Sequence, residues 1–178
     1  ITPAMQTVHI RTTGNAPAWG AIYRQYFEDV DKITGSKGAL QVEKKLFVEK
    51  NNGKTRELQV VTDGQPLHRG DKVIVRLTVR ADRDMEFVHL KDLRAGCFEP
   101  AEQLAGTTFK DGLWMYHSPE DAAEQFFIHR LPKGTFVMEY SLYVDRTGNY
   151  SGGISTIQCL CAPEFISNTA GSKILIED

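Results

Sequence analysis

The sequence predicts an all-β fold, a two-layer antiparallel β-sandwich of the immunoglobulin-like kind with a β-hairpin at its N-terminal end. Three observations carry this expectation. Apolar residues recur mostly with a period of two, the strand signature. The periodic segments are short. Gly, Pro and Asn stand between them, which supplies tight turns rather than helical connections.

Within the first 35 residues, Thr7 to Arg11 and Trp19 to Glu28 are two strand candidates joined by Thr12-Thr13-Gly14-Asn15-Ala16-Pro17. Tyr23, Tyr26 and Phe27 lie on the second, so this hairpin needs apolar cover from elsewhere. It reads as the tail of a neighbouring domain. Thr34-Gly35-Ser36-Lys37-Gly38 is the most linker-like stretch in the chain, and a boundary placed there gives units of residues 1–35 and 36–178.

Leu40 to Lys50 and Thr55 to Val61 flank Asn51-Asn52-Gly53, an Asn-Gly hairpin signal. Lys72 to Asp82 is the clearest strand: Val73, Val75, Leu77 and Val79 share one face, while Lys72, Arg76, Thr78 and Arg80 share the other. Glu86 to Leu90 and Gly112 to Tyr116 follow. Ser118-Pro119-Glu120-Asp121 resembles a helix start with Ser118 as cap, yet Ala123 to Arg130 reads better as a strand partnering the next one. That next strand is Phe136 to Asp145, with Phe136, Met138, Tyr140, Leu142 and Val144 on one face. Leu131-Pro132-Lys133-Gly134 and Arg146-Thr147-Gly148-Asn149 supply the turns at its ends. Gly153 to Leu160 and Lys173 to Ile176 complete a set of about seven to nine strands, a common number for a two-sheet sandwich.

Composition narrows the function. A chain of 178 residues suffices for one domain with an appendage, at roughly 100 to 200 residues per domain. Its 21 basic and 23 acidic residues leave a net charge of -2, which gives no electrostatic reason to expect nucleic acid or an anionic membrane as partner. No apolar run approaches the roughly 20 residues that cross a bilayer. A start at Ile1 that leads straight into strand-like sequence reads as a mature or excised piece whose targeting signal lay upstream.

The three cysteines, Cys97, Cys159 and Cys161, are too few for a disulfide-stapled miniprotein or a structural zinc cluster. Cys159 and Cys161 point the same way on a strand, so a bond between them would be strained. Buried free thiols are the favoured reading, and a bridge from Cys97 to Cys159 or Cys161 stays open.

No catalytic constellation is evident. His9, His68, His89, His117 and His129 fall in separate segments without metal-ligand spacing, so no metal or other cofactor is expected. Ser151-Gly152-Gly153 lacks the flanks of a nucleophile elbow and reads as a flexible turn. Asp82, Asp84, Glu86 and Asp92 read as charges on a solvated β surface. The dispersed glycines form no phosphate cradle. Asn149-Tyr150-Ser151 matches the glycosylation pattern, which three residues meet easily by chance.

Asp92-Leu93-Arg94-Ala95-Gly96-Cys97-Phe98-Glu99-Pro100 resembles a run near the start of the C-terminal macroglobulin-like domain of bacterial α-2-macroglobulins, with Cys97 inserted between Gly and Phe. Phe126 to Tyr140, with Leu131-Pro132-Lys133-Gly134-Thr135 at its centre, is similar to the family's next block, a strand, a Leu-Pro-x-Gly-Thr turn and a strand. Gly148 and Ala162-Pro163-Glu164-Phe165 resemble its closing block. Upstream, Trp19-Gly20-Ala21-Ile22-Tyr23-Arg24-Gln25-Tyr26 is similar to the last strand of the CUB-type domain that precedes it. The resemblance covers nearly the whole chain, in the family's order, and is nearest to versions from Bacteroidetes.

The resemblance implies a non-catalytic scaffold within a much larger extracytoplasmic, periplasmic or cell-surface protein that traps proteases. Its partners would be the helical, thioester-type domain and the CUB-like domain of the same parent chain, and target proteases through the full-length protein. The chain contains no Cys-x-Glu-Gln thioester motif, so inhibition by the chain alone is not expected. In thioester-bearing relatives a Met-Tyr-x-Pro loop of this domain helps shelter the thioester, and the matching positions here are Leu160, Cys161, Ala162 and Pro163. Cys161 stands in place of the aromatic and cannot cover the same apolar area. If these residues end a strand before Pro163 turns the chain away, Leu160 and Cys161 alternate, one facing inward and the other towards the helical domain.

The rival from another class is a carbohydrate-binding or adhesive sandwich, with Trp19, Tyr23, Trp114 and Tyr116 as stacking surfaces. It requires exposed aromatics on one face.

Overall fold

The computed structural model describes residues 9–11, 13, 14, 17, 25–51 and 55–178. Among them are 14 strands in three sheets, and the helical content is a single 3-10 turn at Val30–Lys32. The expected sandwich is present with more strands than the seven to nine anticipated. The strand candidates at 7–11 and 19–28 lie largely outside the described residues, and 9–11 and 25–28 are not strand.

One layer is a five-stranded sheet in the order β2 (Arg56–Val60), β1 (Leu40–Asn51), β4 (Lys72–Ala81), β10 (Gly134–Val144), β6 (Phe98–Pro100). The other has six strands in the order β13 (Ile166–Asn168), β12 (Ser155–Cys159), β5 (Met85–Leu93), β9 (Ala123–Leu131), β8 (Leu113–Pro119), β7 (Gly106–Lys110). A three-stranded strip, β11 (Gly148–Ser151), β14 (Lys173–Glu177) and β3 (Leu67–His68), completes the structure, with β14 and β3 parallel.

Alternation decides what fills the interior. Val73, Val75, Leu77 and Val79 of β4 are buried between β1 and β10, where Leu77 lies opposite Lys44 on one side and Met138 on the other. From the second layer, Val88, Leu90, Phe126, Ile128, Met115 and Ile157 enter the same core. At about 25 cal/mol per Å² of apolar area, this interdigitated layer is the main favourable term in folding. On the outer face of the five-stranded sheet, Arg76 Nε lies 2.5 Å from Glu139 Oε1 on the neighbouring strand and Lys45 pairs Glu43 at 3.0 Å, while Phe47 and Ile74 on the same face are buried.

Two local readings are corrected. β9 pairs with β5 and β8, not with β10, because Pro132-Lys133 carries the chain from one sheet to the other, with the Lys133 amide donating to Asp84 Oδ1 at 2.8 Å. Gly152 and Gly153 are buried, not a flexible turn. Gly153 has φ +71°, and a Cβ there would stand 2.2 Å from the Leu93 carbonyl oxygen; only glycine lets the chain pass so close to the end of β5.

Candidate docking site

β12 ends at Cys159, and the next six residues form the loop to β13. The Leu160 amide donates to the Phe87 carbonyl at 2.8 Å, Ala162 to Cys159 at 3.3 Å, and Phe165 to Ala162 at 2.9 Å. Beneath the loop, Ala162 and Phe165 pack on the core, and the Arg83 guanidinium lies 5.2 Å from the Phe165 ring centroid. The expected alternation of Leu160 and Cys161 is not observed. Both are exposed, Leu160 by 54%, because the strand has already ended and a bend has no two-residue period. Pro163 is likewise exposed, at the turn.

Of the cysteines, Cys97 and Cys159 are buried and Cys161 is exposed, all three as free thiols. The favoured reading thus holds for two of them and not for Cys161. Burial pushes the Cys97 thiol up to about 11, and Cys159 Sγ donates to the Glu86 carbonyl at 3.2 Å.

The loop opens onto the outer face of the six-stranded sheet. There Phe87, Phe109, Trp114, Tyr116, Phe127 and Ile166 are exposed. Register places Tyr116 opposite Phe127, Phe127 opposite His89, and Phe109 opposite Trp114. Phe87 is the hinge of this arrangement. Its φ of +54° is a genuine outlier for a bulky side chain, and it interrupts the alternation so that Glu86 and Phe87 are both exposed, as are His129 and Arg130 on the next strand.

Between the layers, at the other end of β5, lies a polar cluster that sequence reasoning missed. Asp92, read above as a surface carboxylate, is fully buried. Its Oδ1 accepts from Lys44 Nζ and from Ser155 Oγ, each at 2.8 Å, and its Oδ2 accepts from the Tyr140 hydroxyl. Lys44 also donates to the Leu93 carbonyl at 3.0 Å. Beside it, Glu124 takes Arg94 Nη1 at 2.8 Å and His117 Nε2 at 2.6 Å. Burial and the adjacent Asp92 carboxylate hold the Tyr140 hydroxyl well above the usual phenol range.

A model of the bacterial alpha-2-macroglobulin MG10 domain matches residues 40–164. The chain belongs to this family. Comparison with curated proteins finds no match. Among solved structures, the MG10 sandwich is similar to a Salmonella alpha-2-macroglobulin reacted with methylamine, at 17% identity and TM-score 0.65, over 83% of this chain and 10% of that one. It is also similar to the Escherichia coli protein activated by porcine elastase, at 15% identity and TM-score 0.67, over 82% and 14%. A native E. coli fragment running from domain MG7 to the C-terminus gives 14% and 0.63, over 81% and 24%. The chain thus spans about a tenth of the Salmonella protein, and these likenesses establish a shared fold.

A cleft of about 760 Å³ lies between β1 and the segment 168–174 of this MG10 sandwich. It contains neither His nor Cys, and its Lys44, Lys45 and Lys173 are paired with Asp92, Glu43 and Asp31. Among the described residues no group of three His, Cys, Asp or Glu side chains is placed to hold a metal ion, and no helix is long and apolar enough to cross a membrane. Trp19 and Tyr23 lie outside the described residues.

Proposed function

We propose that this MG10 sandwich is a non-catalytic C-terminal scaffold and docking domain of an alpha-2-macroglobulin-like protease inhibitor, active only within the parent protein, and that the loop carrying Leu160, Cys161, Ala162 and Pro163 is one of its docking elements. One observation carries this reading: Leu160, a large apolar side chain, is held out to solvent by a loop whose backbone is tied down on both sides. The Leu160 amide is bonded to the carbonyl of the exposed Phe87, and contiguous exposed apolar surface marks an interaction site where a single exposed leucine would not.

Cys161 supplies less apolar area than the aromatic of thioester-bearing relatives, so Leu160 is the anchor here. The docked partner is the helical domain of the same parent, with residues 1–35 belonging to the CUB-like neighbour and residues 36–178 to the sandwich. Location outside the cytoplasm follows from the same family role. The test compares the parent protein with and without this segment as an inhibitor of a protease acting on a large protein substrate. Inhibition is expected to be lost on removal, and unchanged inhibition overturns the proposal.

A second reading has an observation in its favour. Trp114 and Tyr116 are exposed on one face, which a carbohydrate-binding or adhesive module requires. Saccharide binding on a glycan array that disappears in Trp114→Ala would support it.

A further inference from the structure

One lysine ion pair in the chain is unlike the rest. In the other lysine–carboxylate pairs among the described residues the lysine is 31% or more exposed. Lys44 and Asp92 are 12% and 0% exposed, and they meet across the two layers. Arg94 and Glu124 form a second buried pair, but a guanidinium keeps its charge and is no nucleophile. A lysine withdrawn from water is different, because once it passes a proton on, its Nζ carries a reactive lone pair.

The surroundings of Asp92 suit acyl transfer. Its Oδ1 accepts from Lys44 Nζ and from Ser155 Oγ, each at 2.8 Å, and its Oδ2 accepts from the Tyr140 hydroxyl. An amine at hydrogen-bond distance from one carboxyl oxygen already stands beside the carbon that bears it. A contact held in this way corresponds to effective concentrations of roughly 10⁵ to 10⁸ M. Condensation also replaces two buried charges by a neutral amide, which removes their desolvation cost.

We infer that Lys44 and Asp92 condense to an intramolecular isopeptide bond joining β1 to β5. A proton first passes from Nζ to Oδ1 along their 2.8 Å contact, leaving a neutral amine and a neutral carboxylic acid. The Nζ lone pair then attacks Cγ, and the Cγ–Oδ2 π electrons move onto Oδ2, where the Tyr140 hydroxyl donates to the developing negative charge. Burial and the nearby carboxylate hold that hydroxyl well above the usual phenol range, so it remains a donor. A second proton passes from Nζ to the Oδ1 hydroxyl, beside which Ser155 Oγ stands. The Cγ–Oδ1 bond breaks, Oδ2 returns to a carbonyl, and one water leaves. Two of the ammonium protons depart with that water, and the third stays on the amide nitrogen, facing the Leu93 carbonyl that lies 3.0 Å from Nζ. Charge and electrons balance with no further reactant. Lys44 also lines the cleft beside β1, which gives the released water a way out. The bond ties the two sheets together where the three free cysteines do not, and like any cross-link it restricts the unfolded chain.

The experiment measures the intact mass of the purified 178-residue chain, incubated folded and then denatured, beside Lys44→Arg, which keeps the charge opposite Asp92 but supplies no nucleophile. The native chain is expected to be one water lighter than its sequence, and Lys44→Arg to have its full mass. Peptide mapping of the native chain is expected to find the segments containing Lys44 and Asp92 joined, which assigns the bond even where the variant fails to fold. A native chain at full mass overturns the inference and leaves an ordinary buried ion pair. Loss of water that persists in Lys44→Arg, or that maps to a succinimide at the exposed Asp111-Gly112 turn, places the dehydration elsewhere and overturns it as well.

Discussion

Lys44 on one sheet and Asp92 on the other meet in the interior with Nζ 2.8 Å from Oδ1, side chains 12% and 0% exposed. The pair bridges the two layers where an apolar contact would ordinarily sit. Breaking it leaves a desolvated charge, which costs about 3 to 5 kcal/mol. Asp92→Ala, which also strips the acceptor from Tyr140 and Ser155, is expected to be the most damaging single change in the cluster. Lys44→Met leaves those two donors in place and should cost less. Urea unfolding of both and of the double variant checks this, with the double costing less than the sum of the singles.

Alkaline pH should weaken the fold through two buried groups. Cys97 and Tyr140 are both raised above their ordinary values of 9.0 and 10.0, so each holds its proton more tightly folded than unfolded. Their contribution is complete below pH 9. It declines as the unfolded thiol and then the unfolded phenol ionise, the thiol's share being lost through about pH 11. Unfolding free energies from pH 7 to 11 should fall less steeply in Cys97→Ala with Tyr140→Phe than in the native chain. Parallel curves would contradict the assignment.

The thiols should divide by access. Cys161 is expected to react with a maleimide within the mixing time of a native sample, while Cys97 and Cys159 react only after unfolding. Mass spectrometry reads one adduct native and three denatured.

At Gly153, alanine meets both a disfavoured φ of +71° and the Leu93 carbonyl oxygen. A loss of at least about 2 kcal/mol is expected, against a few tenths at an open exposed turn. Thermal melting decides it.

Leu160→Ala and Cys161→Ser should each change stability by less than about 1 kcal/mol, since neither side chain is buried, whereas Leu90→Ala in the core should cost about 2 to 5 kcal/mol. Large losses at both loop positions would make the loop ordinary core.

Much of this fold is legible in the residues. β4 and β10 alternate so regularly that their residue order alone assigns both faces. The failures have physical causes. Leu67–His68 and Ile166–Asn168 are too short to show a period. Pro132-Lys133-Gly134 signals a turn but not whether the chain stays in its sheet. Leu160 and Cys161 read as strand because a local pattern does not show that pairing has stopped. Lys44 and Asp92 are 48 residues apart, and each looks like a surface charge. A signal is present nonetheless: Lys44 is in phase with Leu40, Val42, Leu46 and Val48, a core-facing row. The exposed aromatics of β8 and β9 are visible as residues, but their shared face requires the register.

As a scaffold and docking domain, this chain should have no inhibitory activity of its own. The most direct measurement is the rate at which a protease digests a large protein substrate with equimolar purified chain present. An unchanged rate is predicted. Stoichiometric suppression of digestion by the 178-residue chain alone would contradict it.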